Sequence, residues 1–121
     1  MTWWGWAVGI TAVVVCLDNA SACTRQGPGW YLGGDVAHEW IVRPGEVCTH
    51  DLVLNSGADA ITSVTIVQKA KIGVVGTRGP TSYAYRAPSS PGADSFAVRI
   101  AGTRHGRSSA TRISVNVVIR P

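Results

Sequence analysis

At 121 residues, with 45% hydrophobic and 15% charged residues, the chain has room for one domain with a single modest core. It carries 11 basic residues against 7 acidic ones, a net charge of +4 at neutral pH, which favours anionic over cationic surfaces. Nothing after residue 22 resembles a membrane span or a low-complexity linker.

Residues Ala7 to Leu17 form an apolar run broken only by Gly9 and Thr11, and Ala20-Ser21-Ala22 follows with small-x-small spacing. This is the order of a secretory signal peptide over residues 1–22, with an uncleaved anchor as the alternative; the apolar run is too short to span a bilayer comfortably as a helix. No Lys or Arg precedes the run, so either the α-amino group supplies the positive charge or the true start lies upstream. Asn19-Ala20-Ser21 matches a glycosylation sequon inside the segment to be removed. Cys16 leaves with that segment, and Cys23 and Cys48 remain. An even pair in an exported chain reads as a disulfide, closing a loop of about 25 residues worth roughly 3 kcal/mol. The alternative is lipidation of Cys23, since Ala20-Ser21-Ala22-Cys23 is similar to a bacterial lipobox with Ala20 where Leu is usual. The expected location is therefore periplasmic or secreted, with a lipid anchor through Cys23 as the alternative.

The processed chain opens on a Gly-rich lead-in with turn signals at Gly27-Pro28-Gly29 and Gly33-Gly34. Val36 to Val42 is a candidate strand, ended by Arg43-Pro44-Gly45-Glu46. From Val47 to Leu54, Cys48, His50, Leu52 and Leu54 share one face, and Asn55 to Asp59 is the next turn. Ile61 to Gln68 is β-branched; Ala70 to Val75 is a short strand ended by Gly76 to Pro80; Ser82 to Ala87 places Tyr83 and Tyr85 on one face. In Asp94 to Ala101, Phe96, Val98 and Ile100 point inward, and Ser95, Ala97 and Arg99 outward. Gly102 to Ser109 reads as a polar loop. In the closing run, Ile113, Val115, Val117 and Ile119 point inward, and Arg112, Ser114, Asn116 and Arg120 outward. Period two over two consecutive segments, with no amphipathic helix, predicts an all-β antiparallel sandwich of about seven strands.

The segments Ala70 to Val75, Tyr85-Arg86-Ala87-Pro88, Gly92-Ala93-Asp94-Ser95-Phe96 and Ile113 to Val117 resemble the bacterial immunoglobulin-like and cadherin-like repeat domains of exported proteins. The resemblance covers Ile61 to Ile119 and implies an immunoglobulin-like sandwich in a single copy, over residues 23–121. It implies a structural turn formed by Gly92, Asp94 and Phe96, in which the Asp94 carboxylate accepts hydrogen bonds from turn amides. Calcium at Asp94 is the sharper alternative, but calcium wants six to eight oxygens and neighbouring acids are lacking. The cysteine pair and the Trp30 and Trp40 lead-in depart from the family pattern, and so does the single copy.

Charge is divided unevenly. Cys23 to Gln68 nets −3, while Lys69 to Pro121 holds nine basic residues against Asp94 alone, a net of +8. Arg99, Arg112 and Arg120 belong to outward faces of the last two strands, and Arg104 and Arg107 to the segment joining them; together they suggest one basic face for an anionic envelope polymer or an unknown protein. Otherwise the arginines simply keep the sheet soluble. Nucleic acid is disfavoured by export and by the lack of an aromatic stacking platform among the arginines.

His38-Glu39 and His50-Asp51 offer a weak metal set, weaker once Cys48 is oxidised; otherwise His50 is partly buried and His38 lies on the surface. No nucleophile stands in a recognisable motif and no phosphate loop exists, so neither an enzyme nor a cofactor is expected. Trp30, Tyr31 and Trp40 either cover the end of the core or form a docking platform. The expected function is noncatalytic binding through the basic face. The alternatives are an accessory subunit packing its Trp-rich end on a partner and a small metal-binding envelope protein.

Overall fold

The structure, a computed structural model, describes residues 23–53 and 59–121. The expected signal peptide and the turn residues 55–58 lie outside the described residues. Among the described residues all helical and strand structure is strand: β1 (Cys23–Gln26), β2 (Val36–Val42), β3 (Val47–Asp51), β4 (Asp59–Gln68), β5 (Val74–Thr77), β6 (Ser82–Arg86), β7 (Gly92–Arg104) and β8 (Arg107–Ile119). Five strands form one sheet in the order β1-β2-β8-β7-β4, and three form the other in the order β3-β6-β5. None of the described structure is a helix long and apolar enough to cross a membrane.

Alternation drives the two layers together. Phe96, Val98 and Ile100 of β7, and Ile113, Val115, Val117 and Ile119 of β8, are buried. They meet Cys48 of β3 and Tyr83 and Tyr85 of β6 across the core. Each large buried side chain of this kind stabilises the fold by roughly 1.5–3 kcal/mol. The core centre is aromatic: Trp40 stacks on Tyr83 with ring centroids 5.8 Å apart, Tyr85 stacks on Phe96 at 5.6 Å, and Trp40 meets Phe96 edge-on at 5.4 Å. Trp40 and both tyrosines are fully buried, so Trp40 belongs to the core and not to an exposed platform. Tyr31 remains 54% exposed.

Several expectations are corrected. There are eight described strands where about seven were expected, because Cys23–Gln26, read as lead-in, pairs with β2 from Cys23↔Val42 to Gln26↔Glu39. The pairing is not wholly antiparallel: β2 and β8 run parallel, from Val36↔Ile113 to Val42↔Ile119. After β2 the chain crosses to the smaller sheet at β3, and β8 later returns beside β2 in the same direction. The strand expected over Ala70 to Val75 is instead Val74–Thr77, because the amides of Lys71, Ile72 and Gly73 turn toward Asp94.

The polar loop expected over Gly102 to Ser109 is the end of a long hairpin. β7 and β8 stay in register from Gly92↔Ile119 to Arg104↔Arg107, leaving His105 and Gly106 as the turn. Their φ angles, 52° and 78°, are both positive, as a two-residue type I′ turn requires. Ala97 is on the outer face as expected, yet it is buried. Its ladder neighbours are Gln68 and Ser114, and the Arg112 guanidinium donates to the Gln68 side-chain oxygen at 3.4 Å, so long polar side chains cover the methyl.

Candidate functional site

The five arginines of the expected basic face fall into three places. Arg99 and Arg112 stand directly opposite each other across the β7–β8 ladder, both exposed on the outer face of the larger sheet. The surrounding outer-face side chains are small: Ala97, Ala101, Ala110 and Ser114 are their ladder neighbours. The Arg112 guanidinium donates to Gln68 and to the Ser114 hydroxyl, both neutral partners, each at 3.4 Å. A shallow hollow of about 290 Å³ lies between Arg99, Arg112, Asp35 and Val67. Asp35 accepts the Arg112 backbone N–H at 3.1 Å, which sets one negative charge at the rim.

Arg104 and Arg107 pair with each other at the hairpin end. By strand alternation both belong to the face opposite Arg99 and Arg112. Arg104 is engaged there: Nη1 donates to the Leu32 carbonyl at 2.9 Å, and the guanidinium lies 5.3 Å from the centre of the Tyr31 ring. Arg120 follows the far end of β8 and donates its backbone N–H to Val42 at 3.0 Å. At about 3.3 Å per residue, the thirteen positions from Arg107 to Arg120 separate them by roughly 40 Å. The fold therefore gathers these arginines only as two pairs on opposite faces, with Arg99 and Arg112 exposed together on the outer face of the larger sheet.

Asp94 gathers the segments that carry the family resemblance. Its carboxylate accepts the backbone N–H of Lys71 at 2.7 Å, Ile72 at 3.3 Å, Gly73 at 2.8 Å and Ser95 at 2.8 Å. The Tyr85 hydroxyl donates to it at 2.8 Å. Burial pushes the carboxyl upward, but the hydrogen bonds from Gly73, Lys71, Tyr85 and Ser95 outweigh it and hold Asp94 below the usual carboxylate range. Tyr85 is raised, by burial first and then by its bond to Asp94 and that group's charge. With donors on both oxygens, this carboxylate is a structural acceptor and not a free cation ligand. Gly92 opens β7 and Phe96 lies two residues past Asp94 in the core.

Cys23 and Cys48 are bonded, with Cα atoms 5.6 Å apart, and join β1 of the larger sheet to β3 of the smaller. Beside them sits the histidine pair. His38 is buried, not on the surface as expected, because β2 turns it inward; its Nε2–H donates to the Pro28 carbonyl at 2.8 Å. His50 is partly buried, and its Nδ1 lies 2.8 Å from the Tyr83 hydroxyl. The imidazole centroids are 6.0 Å apart. Among the described residues no group of three or more His, Cys, Asp or Glu is gathered as a metal site would need.

Two contributors escape sequence reasoning. Thr111 is 1% exposed, and its hydroxyl accepts from Gly33 and Gly34 N–H at 3.1 and 3.0 Å while donating to the Tyr31 carbonyl at 2.6 Å. It fixes the Tyr31–Gly34 turn and so positions the ring under Arg104. Thr111 continues the inward parity of Ile113, the one signal that could have singled it out. Arg25 of β1 lies near enough to His50 to influence its ionisation, and no local pattern announces that. No protein-family model, no curated protein and no solved structure matches the chain.

Proposed function

We propose that the chain is an exported, noncatalytic binding module of immunoglobulin-like architecture that engages an anionic envelope component through Arg99 and Arg112. Support for the architecture comes from the two sheets and from the meeting of three resemblance segments at Asp94. The Cys23–Cys48 bond supports an oxidising compartment, and it engages the sulfur that a lipid anchor would need. A core-buried Trp40 counts against the accessory-subunit reading, and the histidine pair alone is too few ligands for the metal reading.

The observation that carries the binding role is the pair of exposed guanidinium groups opposite each other in the ladder. Like charges directly opposite are destabilising in a sheet, and an anion between them removes that repulsion. The small flanking side chains leave the approach open. Co-sedimentation with phosphatidylglycerol vesicles, against phosphatidylcholine vesicles, tests this. Binding to the anionic vesicles is expected to weaken as salt rises past about 0.1 M, where screening acts within about 10 Å. Arg99→Gln/Arg112→Gln is expected to remove most of it. Binding indifferent to both salt and the double substitution would reject the reading.

A further inference from the structure

We propose that the hollow between β1, β3 and the Gly27–Trp30 loop is a binding pocket for a small carboxylate carried on an apolar body. It lies beside the disulfide on the edge of the sandwich, away from the Arg99–Arg112 pair, and measures about 350 Å³. That is at the lower end of small-molecule sites. Arg25, Trp30, His38, His50 and Cys23 line it, with the Gly27–Gly29 loop as its outer wall. The bond from His38 to the Pro28 carbonyl fixes that wall.

The hydrogen bonds decide what the pocket offers a ligand. Tyr83 is fully buried, and burial raises its hydroxyl, so it stays protonated. Its side-chain partner among the described residues is His50 Nδ1, at 2.8 Å. With Nδ1 engaged by Tyr83, Nε2 is the nitrogen left for a ligand, and it carries the proton in the tautomer in which the Tyr83 hydroxyl donates to Nδ1. His50 is neutral because burial, then the charges of Arg25 and His38, lower it to about 4 against the opposing pull of Asp51. The positive field that resists an imidazolium there is the field that stabilises an anion. Arg25 supplies the charge and a planar fork suited to a carboxylate, His50 Nε2–H supplies a neutral donor in that tautomer, and Trp30 and the disulfide supply the apolar walls.

Benzoate is a suitable probe, with benzamide as its neutral counterpart and Zn²⁺ as the competing ligand class. Histidine-ring and tryptophan-indole nitrogen resonances of the full chain report on binding. Benzoate is expected to shift His50 Nε2 and Trp30 Nε1 saturably, with Kd on the order of 1 mM. Benzamide, and benzoate with Arg25→Gln, are expected to bind at least about tenfold more weakly. Saturation with benzoate should raise the His50 pKa, since a bound anion favours the charged imidazole. Arg99→Gln/Arg112→Gln should leave all of this unchanged, which separates the pocket from the outer face. The proposal is overturned if benzoate gives no saturable shift, if benzamide or Arg25→Gln matches it, or if Zn²⁺ titrates His38 and His50 stoichiometrically instead.

Discussion

Asp94 is 7% exposed and accepts five hydrogen bonds, four from backbone amides and one from Tyr85. Those amides belong to the segment before β5 and to β7 itself, so one side chain replaces a stretch of ladder that Lys71 to Gly73 do not make. Removing it leaves several donors without acceptors, each costing about 1–3 kcal/mol where water cannot reach. Asp94→Ala is expected to lower stability by about 3–5 kcal/mol in urea unfolding. Asp94→Asn should fall nearly as far, since its amide NH₂ would face donors. The pH dependence has a defined sign. The native carboxyl is held below its ordinary value of 3.8, so its contribution is complete above about pH 4 and is lost as pH falls through the native value. Urea midpoints measured from pH 5 downward should therefore drop for the native chain and stay flatter for Asp94→Asn.

The β7–β8 hairpin shows which parts of an element its sequence reveals. Phe96-Val98-Ile100 and Ile113-Val115-Val117-Ile119 are legible because apolar and polar residues alternate, and burial follows that alternation. From Gly102 to Ser109 the residues are small or polar, so there is no apolar period to read, and the ladder is held by backbone bonds and by the His105-Gly106 turn. Taking that stretch for a loop hides the strand parity that separates Arg104 and Arg107 from Arg99 and Arg112. Asp94 was legible as an acceptor through the resemblance, but not the segment that donates to it. The pocket at Arg25 and His50 was illegible, because it is assembled by β1, β2 and β3 from two sheets. Gly102 makes a test of the hairpin's position. A Cβ there would collide with the Ala60 carbonyl oxygen and press on Leu32 at 3.1 Å. The Ala60 carbonyl is backbone and cannot swing aside, so Gly102→Ala is expected to cost about 2–3 kcal/mol. Gly106→Ala, which meets open space but has φ 78°, should cost about 1 kcal/mol. A Gly102→Ala variant as stable as the native chain in urea would refute the close approach of β4.

On the scale of the whole molecule, the two lateral sides of the sheet pair are held differently. On one side the Cys23–Cys48 bond ties the edge strand β1 to β3 across the layers. On the other, the edges β4 and β5 flank a hollow lined by Ile66, Val74 and Val75, with Val74 67% exposed and no covalent link. Among the described residues β1 pairs with β2 alone, through four residues, and no described strand adjoins its outer edge. Without the disulfide its attachment rests on those few backbone bonds, and a segment held so lightly opens locally. Cys23→Ala/Cys48→Ala is expected to lower global stability by about 3 kcal/mol through the freed loop of the unfolded chain. Because that chain becomes less compact, the urea m-value should rise as the midpoint falls. Hydrogen exchange distinguishes where the loss acts. Amides of β1 should lose protection first, while the paired centre of β7 and β8 still exchanges only by global unfolding. If β1 stays as protected as β8 in the double variant, the bond contributes through the unfolded state alone, and the four-residue pairing suffices to hold that edge.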